Sequence, residues 1–146
     1  MEKYKQELER RKQQAVKERE IKRKQHEEMF FKIMLDNNID LLETEKIIIT
    51  KKMKVNFDIL KSSLVVEMET ISPLNGRKKI KPIYKDELIK ILECDTGALE
   101  SKGFKINLQE ETIKKTPLRV KLAIQKKYWK EFRTTSTWEI DCSNIK

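Results

Sequence analysis

The sequence predicts an α+β protein: a long charged N-terminal helix, then a small domain with an antiparallel β-sheet and one main helix. Three observations carry this. Residues 2–35 hold no Gly or Pro and are built from strong helix formers. From Glu45 onward, apolar residues recur at every second position in several segments, the pattern of half-buried strands. Between those segments, Leu88, Ile89, Ile91 and Leu92 recur instead at helical spacing. The expected organisation is a helical arm over 1–37 and a compact domain over 45–146.

The N-terminal helix is supported by Glu7–Arg11, Glu18–Lys22 and Glu20–Lys24, which have the i,i+4 order that stabilises a solvated helix. Tyr4, Leu8 and Ala15 begin a coiled-coil seam, but Glu18 and Lys22 then occupy its path, so no self-sufficient coiled coil is expected. The helix turns apolar only at "MFFKIML", where Met29, Phe30, Ile33 and Met34 form the stripe that docks on the domain. Asn37 or Asn38 supplies its C-terminal stop. Removing residues 1–25 is expected to leave the domain folded.

In the domain, Ile47, Ile49, Met53, Val55, Phe57 and Ile59 alternate with Ile48, Thr50, Lys52, Lys54, Asn56 and Asp58, a long strand with a Lys-rich outer face. Lys61-Ser62-Ser63 reads as a turn, and Leu64 to Ile71 as an antiparallel second strand. "SPLNGRKKIKP" reads as a cation-bearing loop, with Pro73, Asn75-Gly76 and Pro82 as its markers. A helix is predicted to start near Tyr84, break at Asp95-Thr96-Gly97 and end at a left-handed Gly103. A strand over Phe104–Leu108 follows. Leu118, Val120, Leu122 and Ile124 alternate with Arg119, Lys121, Ala123 and Gln125, which predicts a strand over 118–124. Residues 126–132 fit either element. Thr134 to Cys142 is the last strand, with Trp138, Ile140 and Cys142 on its inner face.

Charge is segregated along the chain. The protein has 146 residues, 39% of them charged, and a net charge of +9. Residues 1–25 carry ten Lys/Arg against five Glu, residues 77–85 five cations and no acid, and residues 114–133 eight cations against Glu131 alone. Residues 26–45, by contrast, hold six acids and only Lys32. Lys outnumbers Arg strongly, which favours contact with phosphate over the planar reading of base edges.

The chemistry of an enzyme is not announced. His26 is the one histidine, and it sits in the solvated helix, where an exposed structural role is expected. Gly76, Gly97 and Gly103 are isolated and form no phosphate loop. Glu110-Glu111 reads as a charged turn. Cys94 and Cys142 lack metal-ligand spacing and are expected to be reduced thiols. "KDELIKILECDTGALESKGF" has the length of a helix-turn-helix. Its second helix would hold a single cation, too few for base recognition. No catalysis, cofactor or metal is expected. No apolar run spans a bilayer and the N-terminus lacks a signal-peptide apolar region, which predicts an intracellular protein, cytoplasmic or nuclear.

The expected function is a non-catalytic accessory protein that binds DNA, RNA or a ribonucleoprotein through phosphate contacts. The candidate contacts are Arg77, Lys78, Lys79 and Lys81, with Arg119, Lys121, Lys126, Lys127, Lys130 and Arg133 in the second block. Tyr128 and Trp129 are candidate stacking rings, and Trp129 is equally the best candidate for burial. The alternative is a protein–protein interaction module. In that case residues 1–35 dock on a partner protein and the domain serves as scaffold or as inhibitor of a nucleic-acid enzyme, of the kind mobile elements carry.

Overall fold

The computed structural model describes residues 2–57, 59–115 and 131–145. It shows an α+β fold whose elements run α1 (Glu2–Asp36), β1 (Lys46–Asn56), β2 (Lys61–Ser72), β3 (Gly76–Ile80), α2 (Lys85–Cys94), α3 (Gly97–Glu100), β4 (Lys105–Lys115) and β5 (Glu131–Asp141). The strands form one five-stranded sheet of order β3-β2-β1-β5-β4, and every neighbouring pair is antiparallel. Helices cover part of one face. The other face is mostly polar, with Ile48, Val65 and Ile71 among its side chains.

Period-two alternation sets which residues meet the helices. Across the register, Ile47, Ile49, Val66, Met68, Trp138 and Ile140 fall on one face and are buried. From α1, Phe30, Ile33 and Met34 join them, as do Leu88, Ile91 and Leu92 of α2, Leu99 of α3, and Phe104, in one continuous core. Phe30 meets Phe104 edge-on at 5.3 Å between ring centres, the geometry in which aromatic quadrupoles attract. Lys51 falls on this same face and is neutralised there by Glu93 of α2.

The end of α1 is tied down twice. Asn38 takes a left-handed φ of 58°, and the Ile39 amide donates to the Met34 carbonyl at 2.9 Å, closing a Schellman cap. The buried Asn37 side chain then donates to the Ile33 carbonyl at 2.8 Å and accepts from the Ile83 amide at 2.9 Å. That pair joins the helix end to the segment entering α2. Gly103 has φ 97°, the left-handed conformation expected of it, and a Cβ there would lie 1.9 Å from the Asn144 carbonyl oxygen. Glycine is needed both for the conformation and for the passage of the C-terminal tail.

Several elements differ from expectation. The residues 76–80 expected in a loop form β3, because the three-residue loop Pro73, Leu74 and Asn75, followed by Gly76 at φ 67°, turns the chain back onto β2. The turn expected at Lys61-Ser62-Ser63 lies earlier; those residues belong to β2, and Leu60, at φ 50°, takes the left-handed turn position. The first strand accordingly stops at Asn56, before Phe57 and Ile59. Glu110 and Glu111 are inside β4, which runs on to Lys115 instead of ending at Leu108. Both pair with β5, opposite Ser136 and Thr135. The last strand begins at Glu131, three residues before Thr134. The strand expected over 118–124 lies outside the described residues.

Two stability outcomes follow from this packing. Residues 2–25 contribute no buried side chain. Deleting residues 1–25 should therefore preserve a single cooperative thermal transition, read by circular dichroism. Phe30→Ala and Trp138→Ala should each cost about 3–5 kcal/mol in denaturant titrations, the range for emptying a buried aromatic site.

A candidate nucleic-acid interface on the helical arm

The 35 residues of α1 span about 52 Å at 1.5 Å per residue. Its docked residues Phe30, Ile33 and Met34 fix the rotation of the whole helix. At 3.6 residues per turn, those residues share one sector with Lys5, Lys12, Arg19, Lys22 and Arg23. Arg11 lies at its border and turns to Glu7, at 3.4 Å. All five acids of the arm, Glu2, Glu7, Glu9, Glu18 and Glu20, fall outside that sector. The arm is thus two-faced: a mixed half, and a cationic stripe that continues the docked side outward. Lys5, Lys12 and Arg19 recur every seventh residue, about 10.5 Å apart.

Where the stripe reaches the domain it opens into a crevice of about 520 Å³ lined by Arg19, Lys22, Arg23, His26, Lys90 and Asp95, with Cys94 at its edge. Asp95 caps the end of α2 and anchors the arm. His26 Nδ1 lies 3.1 Å from its Oδ2, and Arg23 Nε 3.9 Å from its Oδ1. His26 is therefore half-buried against the domain, not exposed as its position in a charged helix suggested. Tertiary packing of α2 causes that. Lys102 and Glu27 add a further pair at 3.1 Å between α1 and the segment after α3. One carboxylate, Asp95, faces four cations in the crevice, so its field stays positive.

The sequence-predicted contacts are distributed differently. Because 76–80 is a strand, Arg77 and Lys79 point to the open face while Lys78 points to the helix side. Arg77 lies 3.7 Å from Glu69. Lys78 lines a hollow that also holds Asp40 and Glu43. Lys81 lies on the segment between β3 and α2, and Arg133 on the open face opposite Lys54. The structure does not gather Arg77, Lys78, Lys79 and Lys81 on one surface. Arg119, Lys121, Lys126, Lys127, Tyr128, Trp129 and Lys130 lie outside the described residues.

The remaining open face is mixed. Lys46–Glu139 at 2.8 Å, Lys54–Glu131 at 3.3 Å and Lys52–Glu67 at 3.6 Å interleave the two signs. Such exposed pairs add little stability, but they do cancel the field that a phosphate chain would need. The Glu139 hydrogen bond raises the pKa of Lys46, and the Ser143 side chain and amide lower that of Asp141.

Counting charge by block conceals the arm stripe, whereas marking the acids on a helical projection of 2–26 exposes it. Among the described residues, no group of His, Cys, Asp and Glu could hold a metal ion, and no helix is long and apolar enough to cross a membrane. Tyr84 precedes α2 in a left-handed conformation, with Lys32 Nζ 5.5 Å from its ring centre. Ala98 and Leu99 of the single-turn α3 are buried, so a second helix for base reading is not presented. No protein-family model, curated protein or solved structure matches this chain.

Both thiols are free, but only Cys142 is a core residue; Cys94 is exposed. Burial disfavours the Cys142 thiolate and pushes its pKa up to about 12. Native protein at pH 8 should therefore show one fast thiol with a disulfide reagent and a second only on unfolding. Because the folded pKa is raised, the contribution of Cys142 to stability is complete below its unfolded pKa. It should fall away as pH climbs from there toward 12.

Proposed function

We propose that this protein is a non-catalytic nucleic-acid-binding accessory protein whose main contact is the cationic stripe of α1 and the crevice at its base. One observation carries the reading: within 2–25 the five cations Lys5, Lys12, Arg19, Lys22 and Arg23 share a sector that contains no acid. A rigid row of Lys and Arg suits the repeating charge of a phosphate backbone and reads no bases, so weak sequence preference goes with it. The block at 114–133, net +7 by sequence, supplies further cations for the same partner.

A second reading has its own observation. Tyr4, Leu8, Ala15 and Val16 lie in the same sector, and Tyr4, Leu8 and Val16 are 70%, 40% and 51% exposed. Apolar residues among cations fit an acidic groove on a partner protein, which is the scaffold or inhibitor role.

The test compares two triple variants of equal charge. Lys5, Lys12 and Arg19 changed to Gln should weaken binding to duplex DNA and RNA uniformly across sequences. The plot of log affinity against log salt should flatten by about two to three units, at roughly 0.7–0.9 for each phosphate that is no longer neutralised. Lys3, Lys17 and Lys24 changed to Gln, all on the mixed half, should alter the slope far less. Equal effects would mean that net charge alone binds, and absence of salt-sensitive binding would hand the arm to the protein-partner reading.

A further inference from the structure

Among the described residues, β2 is left partly bare at its edge of the sheet. β2 runs from Lys61 to Ser72, but β3 pairs only with Met68 to Ser72. On the side away from β1, residues 61–67 have no strand neighbour among the described residues, a stretch of about 23 Å at 3.3 Å per residue. β3 does not extend that pairing, because the chain leaves it through Lys81 and Pro82 toward α2. Edge strands are usually blunted by charge, proline, a bulge or brevity. This one is unbulged along its whole pairing with β1. Its middle carries Leu64 and Val65, 51% and 47% exposed, on opposite faces. The other edge, β4, is charged by contrast, with Lys105, Glu110, Glu111 and Lys114.

Beside the bare edge lies a groove of about 280 Å³ between β2 and the segment 81–85. Val66, Met68, Ile80 and Pro82 give it an apolar lining, and Lys79, Lys81 and Lys85 ring it. The two acids that line it are already engaged, Glu67 with Lys52 and Glu69 with Arg77. Lys79, Lys81 and Lys85 make no ion pair among the described residues.

We propose that the bare edge of β2 takes up an extended acidic peptide segment of a partner protein as a sixth strand. Main-chain hydrogen bonds along 61–67 would supply the pairing. Alternate side chains of the peptide would pack against Leu64, Val66 and Pro82 on the helix side and Val65 on the open side. Its carboxylates would meet Lys79, Lys81 and Lys85. Charge complementarity selects this occupant. A second copy of this chain, net +9, would set the same three lysines against one another. The site is separate from the arm stripe, so it stands or falls independently of nucleic-acid binding.

The experiment uses the full chain and a capped synthetic peptide alternating valine and glutamate, with a valine–lysine peptide as control. The glutamate peptide should bind with an affinity that falls as salt rises. Hydrogen exchange should slow at amides within 61–67 and not along β4. Lys81→Gln with Lys85→Gln should weaken binding about tenfold, the scale of two exposed ion pairs. Val65→Glu, a change at a half-exposed site, should weaken it while leaving the thermal transition in place. Equal binding of both peptides, or protection confined to another edge, would overturn the proposal. So would concentration-dependent protection of 61–67 by the protein alone, which would give the edge to a second copy.

Discussion

Everything in this fold rests on the seating of Phe30, Ile33 and Met34 against the inner face of the sheet. An antiparallel sheet that is apolar on one side only must bury that side. Here α2 and α3 are short, ten and four residues, so the last turns of α1 complete the layer. The Asn37 bonds to Ile33 and Ile83 hold the end of that helix in place. A helix is rigid in rotation as well as direction. Seating its last third therefore determines which way residues 2–25 face, although none of them is buried.

The same layer is shorter than the sheet it covers. Ile47 and Ile49 are buried, whereas Met53, on the same face of the same strand, is exposed. Leu64 and Leu108 share that fate on β2 and β4. Among the described residues, that end of the sheet keeps exposed apolar side chains, and β3 leaves residues 61–67 of β2 unpaired on one side. Among the described residues, the amides and carbonyls of 61–67 on the side away from β1 have no strand partner, and such a row is open to another strand.

Electrostatics divides the surface by element. On the open face, cross-strand neighbours interleave the two signs, so fields cancel over short distances. Along the arm, the signs are sorted by helical phase. Cations about 10.5 Å apart on one line lie close to the screening length of about 8–10 Å at physiological salt. They act as a row of separate charges.

Local pattern was enough to specify the α+β class, the long helix, its docking stripe, the inner face of the last strand and the left-handed Gly103. Each depends on a short period or on a steric rule that a few neighbouring residues express. The alternation Trp138, Ile140, Cys142 needs no knowledge of the partner strand to point inward. The arm stripe is legible in the same way, since helical phase alone sorts its acids from its cations. Other features arise only when the chain is assembled. β3 exists because Gly76 lets Arg77 to Ile80 fold back and pair with β2, and five residues carry too weak a period to announce that. The pairing sends Arg77 and Lys79 to one face and Lys78 to the other, dispersing cations that are adjacent in sequence. His26 is half-buried because Asp95, 69 residues away, reaches its ring. Strand ends, edge exposure and partner choice are non-local, set by how far each neighbouring strand extends, and no single segment encodes that.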